Sequence, residues 1–203
     1  MPTAARSQPP QILQIVREPI KPGQEEAYRA VEEETARISA AQGCPHPYLA
    51  AESLTGPTEI WWFNGYQSRG EQQQVADAYA KNAPLLSSLQ RQSARKSVLT
   101  MKPIEMSATY RPDLSGGTPW TVGSGRFLVI TETARPGTRE GTVFEMPDRT
   151  LLVIRSAHTR DAASRLVEPG SAVLEVRPTF SFPAPEWIVS DAPFWRTTSS
   201  TKE

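Results

Sequence analysis

The run EIWWFNGY at residues 59–66 constrains this chain more than any other stretch. In a β-strand successive side chains alternate between faces. Ile60, Trp62 and Asn64 would share one face, and Trp61, Phe63 and Gly65 the other. Large rings on both faces do not suit a sheet with one side in water. Burying an indole stabilises by ~1.5–3 kcal/mol or more by area, so neither tryptophan is expected to be solvated. The strand is therefore expected in a sheet covered twice. RFLVITE (126–132) and TLLVIR (150–155) make the same demand.

The segments around this strand set its context. QILQIVREPI (11–20) reads as a first strand. KPGQEEAYRAVEEETARISAAQG (21–43) reads as a long helix opened by Pro22 and Gly23, with Glu25 and Glu26 at the positive end of its dipole. Tyr28, Val31, Thr35 and Ile38 form one narrow stripe along it, and Gly43 stops it. HPYLAAESLT and TEIWWFNGY are two strands joined by the turn signal TGPT. A second helix starts near Ser68 with Val75, Ala78 and Tyr79 inward; Pro84 interrupts it, and PLLSSLQRQSARKS continues. VLTMKPIEMSATYRP (98–112) is a fourth strand.

The pattern then partly repeats. VREPIKPGQEEA (16–27) matches ITETARPGTREG (130–141) without a gap, so that Glu18, Pro22, Gly23 and Glu26 meet Glu132, Pro136, Gly137 and Glu140. EIWWFNGYQSRGEQQQ (59–74) resembles TLLVIRSAHTRDAASR (150–165). The second spacing is shorter by about the length of the first helix, which implies a duplicated unit whose second copy has lost it. GTVFEMPDRTLLVIRSA is then a hairpin turning at Pro147-Asp148-Arg149. The expected organisation is a first half over 11–112, a Gly/Ser/Pro-rich linker over 113–125, a shorter related half over 126–195, and disordered ends at 1–10 and 196–203.

Strand, helix, strand, strand, helix, strand is a ferredoxin-like order, and the expected class is α+β with antiparallel sheets. With IKPGQEEAY opening the first helix and EIWWFNGY as third strand, residues 11–111 resemble the dimeric α+β barrel superfamily. That group includes antibiotic-biosynthesis monooxygenase-like and NIPSNAP-like proteins. The resemblance implies two ferredoxin-like sheets packed into a barrel, between two chains or within one duplicated chain. It also implies a pocket between sheet and helices. Some members are cofactor-free oxygenases of aromatic compounds, and others degrade haem with an Asn, Trp and His constellation.

Balanced charge, 22 Lys plus Arg against 22 Asp plus Glu, argues against a nucleic-acid partner. A lone Cys44 and two histidines, His46 and His158, give no metal-ligand spacing. The first residues carry no apolar stretch long enough to read as a signal peptide and no run approaches ~20 apolar residues, so no membrane partner and a cytoplasmic location are expected. Phosphate-binding and nucleophile-elbow motifs are absent.

The candidate ligand-binding residues are Trp62, Asn64, Tyr66, Tyr48, His46 and Arg111, with no cofactor and no metal expected. Each has a plainer alternative. His46, between two prolines, reads equally as a solvent-exposed turn residue, and Asn64 as a turn hydrogen-bonder. Trp61 and Trp62 read as core, while Tyr48 and Tyr66 read as packing residues with wet tips. Arg111 reads as one half of a surface ion pair. His158 flanks a short helix for which Thr159 is the N-cap candidate. Two functions follow: binding of a small apolar or aromatic molecule, with cofactor-independent oxygenation as its chemistry, or a non-catalytic interaction module. A homodimer is expected in either case, because a missing helix would leave one sheet face bare.

Overall fold

The computed structural model describes residues 8–134 and 140–196. The first half runs β1 (Ile12–Pro19), α1 (Glu25–Ala41), β2 (Leu49–Ser53), β3 (Glu59–Tyr66), α2 (Arg69–Lys81), α3 (Ala83–Ser97) and β4 (Ile104–Tyr110). The second runs β5 (Phe127–Thr133), β6 (Thr142–Glu145), β7 (Leu151–Ala157), α4 (Arg160–Ser164) and β8 (Ala172–Val176). Two short helices, α5 (Pro185–Ser190) and α6 (Ala192–Trp195), close the described chain.

All eight strands join one closed antiparallel barrel in the order β1-β3-β2-β8-β5-β7-β6-β4. The fold is thus α+β, and the barrel closes within a single chain. β1 is central to the first half, paired with β3 from Ile12↔Tyr66 to Pro19↔Glu59 and with β4 from Ile12↔Thr109 to Arg17↔Ile104. The halves meet at β2–β8 and at β4–β6. The second join holds only the pairs Thr109↔Glu145 and Tyr110↔Phe144.

The two faces of β3 part as its alternation requires. Trp61 and Phe63 enter the barrel interior with Leu13, Ile15, Leu128, Ile130, Phe144, Leu152, Ile154 and Leu174. Ile60 and Trp62 pack on the opposite side with Tyr28, beneath the helices. Neither indole is bare: Trp61 is buried and Trp62 half-buried.

Helix boundaries follow local chemistry. The Ser68 hydroxyl accepts from the Glu71 amide to start α2, and the Asn82 side chain accepts from the Leu85 amide to start α3 with Pro84 in its first turn. α1 begins after the Pro22-Gly23 turn rather than at it, with Gln24 as N-cap and Gly23 at φ 81°. Gly43, at φ 68°, follows its end.

The internal repeat is consistent at one place and inconsistent at another. Matching Trp61 to Leu152 and Phe63 to Ile154 keeps inward residues inward. It also puts Ser68 opposite Thr159, and each caps its helix by accepting the amide three residues on. The gapless match of β1 to β5 instead sets inward Ile15 against Val129, which packs outward under α4. A one-residue shift exchanges the faces of a strand, so the structurally equivalent pairs are Leu13 with Leu128 and Ile15 with Ile130. Pro136 and Gly137 lie outside the described residues. The hairpin turn falls at 147–149 as read, with Arg149 at φ 71° and the Met146 amide donating to the Thr150 carbonyl.

Residues 113–125, read as a linker, are packed. Trp120 and Val122 are buried in the barrel core; Trp120 meets Phe63 and Phe144 edge-on at 6.0 and 6.3 Å. The Trp120 amide donates to Thr142 Oγ1 at 2.6 Å. Leu114 packs on Val143, Leu151 and Val153, all buried. Part of the outer sheet face expected to be bare in the second half is thus covered by Leu114, and Val143, Leu151 and Val153 are buried within one chain, so the expected dimer loses that argument. The expected disordered ends fall largely on residues 1–7 and 197–203, outside the described residues. Pro9 and Pro10 are buried, and a Cβ on Gly65 would lie 2.9 Å from Pro10.

Candidate functional site

Between the outer face of β1–β3 and the helices lies a cavity of about 270 Å³. β1 supplies Val16 and Glu18 to its floor, and β3 supplies Trp62 and Asn64. Val16 is paired with Trp62 across the two strands, which fixes this floor. Glu32, Thr35 and Ser39 enter from α1 at helical spacing, Leu89 and Lys96 from α3, Tyr79 from α2, and Tyr48 from the approach to β2. The walls are thus aromatic on two sides, with polar groups converging from three helices.

One end is ionic. Lys96 Nζ lies 2.7 Å from Glu32 Oε1 and 3.1 Å from Glu18 Oε2. It also stands 5.2 Å from the Trp62 ring centroid. Glu18 Oε2 accepts from the Tyr28 hydroxyl at 2.5 Å and from Trp62 Nε1 at 3.0 Å. Glu32 is 1% exposed. Burial lifts its carboxyl above the ordinary range, although Lys96 opposes this. Burial by itself would lower Lys96, but Glu32 and then Glu18 outweigh it and the ammonium is held more firmly than usual. Burial, reinforced by Glu32 and Glu18, keeps the Tyr28 phenol protonated. A buried carboxyl raised above its ordinary range and set beside a fixed ammonium is a candidate to exchange a proton with an occupant.

The other end is neutral and hydroxylic. The Tyr48 hydroxyl donates to Ser39 Oγ at 3.1 Å, and Tyr79 lies with its hydroxyl 3.0 Å from Cys44 Sγ. Burial raises both phenols and the Cys44 thiol, so all three are un-ionised at neutral pH. Tyr48 sets its ring edge-on to Trp62 at 5.8 Å.

Of the residues expected to bind a ligand, Trp62, Asn64 and Tyr48 are brought together at this cavity. His46 is not solvent-exposed: it is buried and stacked on Tyr66 at 4.6 Å with the rings 10° apart. Tyr66 is likewise buried, and neither ring lines the cavity. The Asn, Trp and His set of haem-degrading proteins is therefore not gathered here. Arg111 lies elsewhere, paired with Asp113 at 2.7 Å and with Glu145. The sequence reading missed Glu18, Glu32 and Lys96. Glu32 carried a signal, since it follows Tyr28 by four residues and so falls on the stripe already identified on α1. Among the described residues no cluster of three or more His, Cys, Asp or Glu could hold a metal, and no helix is long and apolar enough to cross a membrane.

No family model and no curated protein matches the chain. Solved structures match it at low sequence identity. One is named a putative monooxygenase, from Fusobacterium nucleatum subsp. nucleatum; it superposes with a TM-score of 0.52 at 12% identity, over 83% of this chain and 93% of that one. A putative chlorite dismutase gives 0.48 at 9% identity, over 83% and 96%. A putative monooxygenase from Lactobacillus acidophilus gives 0.44 at 9%, over 91% and 89%. At 12% identity, the first likeness is one of fold.

Proposed function

We propose that the chain binds one small, largely apolar aromatic molecule in the cavity between α1, α3 and the β1–β3 face. The observation that carries this reading is the cavity beside Trp62, lined by Tyr48, Asn64 and Tyr79 and ended by the Glu18–Lys96–Glu32 group. Its volume of about 270 Å³ falls just below the ~300–1,000 Å³ typical of small-molecule pockets, enough for one or two rings. A purely structural module would have consumed this face in packing. Trp61, Phe63 and Trp120 belong instead to the core of the barrel interior.

The chemistry we assign to an oxidisable occupant is cofactor-independent oxygenation, in keeping with the monooxygenase name given to the structure of shared fold. Glu32 would take the proton from an acidic methylene between an aromatic ring and a carbonyl, and the Lys96 ammonium would stand beside the resulting anion. Addition of dioxygen to that carbon and loss of water converts CH2 plus O2 into C=O plus H2O, with no external reductant. The test has two parts. Calorimetric titration with 2-naphthol measures binding, and Trp62→Ala should abolish the heat. Oxygen uptake with 2-tetralone measures chemistry, and Glu32→Gln should lose it while still binding 2-naphthol. Absence of binding by a broad set of one- and two-ring aromatics would overturn the reading.

A further inference from the structure

Glu18 and Lys96 line a second cavity as well. It has a volume of about 250 Å³ and is completed by Ser93, Ser97, Thr100, Met101, Lys102 and Pro103. The same ion pair is therefore a partition, with the aromatic cavity on one side and this outer one on the other. The two sides differ in charge. With every group ionised, Glu18, Glu32 and Lys96 leave the aromatic side with an excess of one negative charge. Glu18, Lys96 and Lys102 leave the outer side with an excess of one positive charge. An anionic group is thus repelled from the first and attracted to the second.

Lys96 can be shared with an occupant of the outer cavity, because its side chain already borders both cavities. Glu18 Oε2 keeps two donors without Lys96, the Tyr28 hydroxyl and Trp62 Nε1. Lys96 sits near the end of α3, and its long unbranched side chain lets the ammonium reach toward either cavity. Ser93 and Ser97 lie one turn apart on that helix, on the side the outer cavity uses.

We propose that the two cavities form one site for an elongated aromatic carboxylic acid. Its ring system lies against Trp62 and Tyr48, its alkyl chain passes the Glu18–Lys96 partition, and its carboxylate is held by Lys96 and Lys102 in the outer cavity. This rests on the aromatic-binding reading above and adds the ligand's class and orientation.

The test is calorimetric titration of the full chain with a series of ω-(2-naphthyl)alkanoic acids, their methyl esters and the matching ω-naphthylalkylamines. Acids of the optimum chain length should bind at least about tenfold tighter than their esters, a difference of ~1.4 kcal/mol, and tighter still than the amines. 2-Naphthoic acid, which has no chain to reach past the partition, should bind no better than its ester. In Lys102→Glu, whose folding is checked by its melting temperature, the advantage of acid over ester should fall below about threefold. Esters that bind as well as acids, or an unchanged ratio in Lys102→Glu, would overturn the two-cavity site and leave aromatic binding standing. Tighter binding of the amines would also overturn it. No binding by any member would overturn both.

Discussion

The Lys96 ammonium and the Trp62 indole meet at 5.2 Å and share a carboxylate, Glu18, which pairs with the one and accepts a hydrogen bond from the other. Nothing in the local sequence of either residue requires this meeting. It arises because β3 lies beside β1 and α3 packs on α1, and it makes the tryptophan a reporter on the lysine.

Removing the lysine should be costly. In Lys96→Met the buried Glu32 and the half-buried Glu18 lose their cation, and breaking such a pair typically costs ~3–5 kcal/mol. Urea denaturation of Lys96→Met should show a loss of that order. The double variant Lys96→Met/Glu32→Gln should recover part of it, a coupling that independent sites would not display. Strict additivity would refute the ionic cluster.

The cluster also predicts a pH dependence. Burial raises the Glu32 carboxyl above its ordinary 4.5. The folded state thus retains a proton that the unfolded chain gives up. Stability from this group is complete below about pH 4.5, the unfolded value, and is lost as pH rises through the folded one. The melting temperature of the natural chain relative to Glu32→Gln should therefore decline from acid toward neutral pH. A difference that grows with pH would reverse the assignment.

Gly123 should not accept a side chain. Its φ is +91°, and a Cβ there would lie 2.2 Å from Trp187 Cδ2. Gly123→Ala must both strain the backbone and displace an indole in the core, each worth ~1–3 kcal/mol. Thermal melts should show the loss, with a changed near-ultraviolet circular dichroism signal from Trp187.

The helix caps offer a test of the repeat itself. Ser68→Ala and Thr159→Ala each remove a hydroxyl that accepts the amide three residues on. Each should cost ~1 kcal/mol in chemical denaturation. A negligible loss at either would mean that its cap is not used in solution.

The first half was legible because its signals are local. Alternation in 59–66 fixed both faces of β3, and Ser68, Pro84 and Gly43 marked helix ends through capping and backbone restriction. The packing of 113–125 was illegible because Gly, Ser and Pro spell a loop whether or not it is buried. Only Trp120, out of place in a solvated linker, hinted at a plug. The candidate site was half legible. Trp62, Asn64 and Tyr48 stood out as aromatic or polar residues around a buried strand, whereas Glu32 in VEEET and Lys96 in ARKS resemble solvated surface charges. Their pairing depends on α1 and α3 packing together, a long-range relation that no window of sequence contains. His46 misled for a related reason: two flanking prolines guarantee a turn but do not say which way the imidazole points.

The β4–β6 join, with its two residue pairs, is the clasp of the ring. Arg111, one residue beyond β4, hooks Glu145 at the end of β6, and its amide donates to the Val143 carbonyl at 2.8 Å. Trp120 is tied to Thr142 on the same short strand. When the molecule breathes, this is where the hoop should part first, letting solvent reach the indole plug while the helix-roofed side stays shut. The guanidinium that looked like a hand for a ligand serves as the buckle.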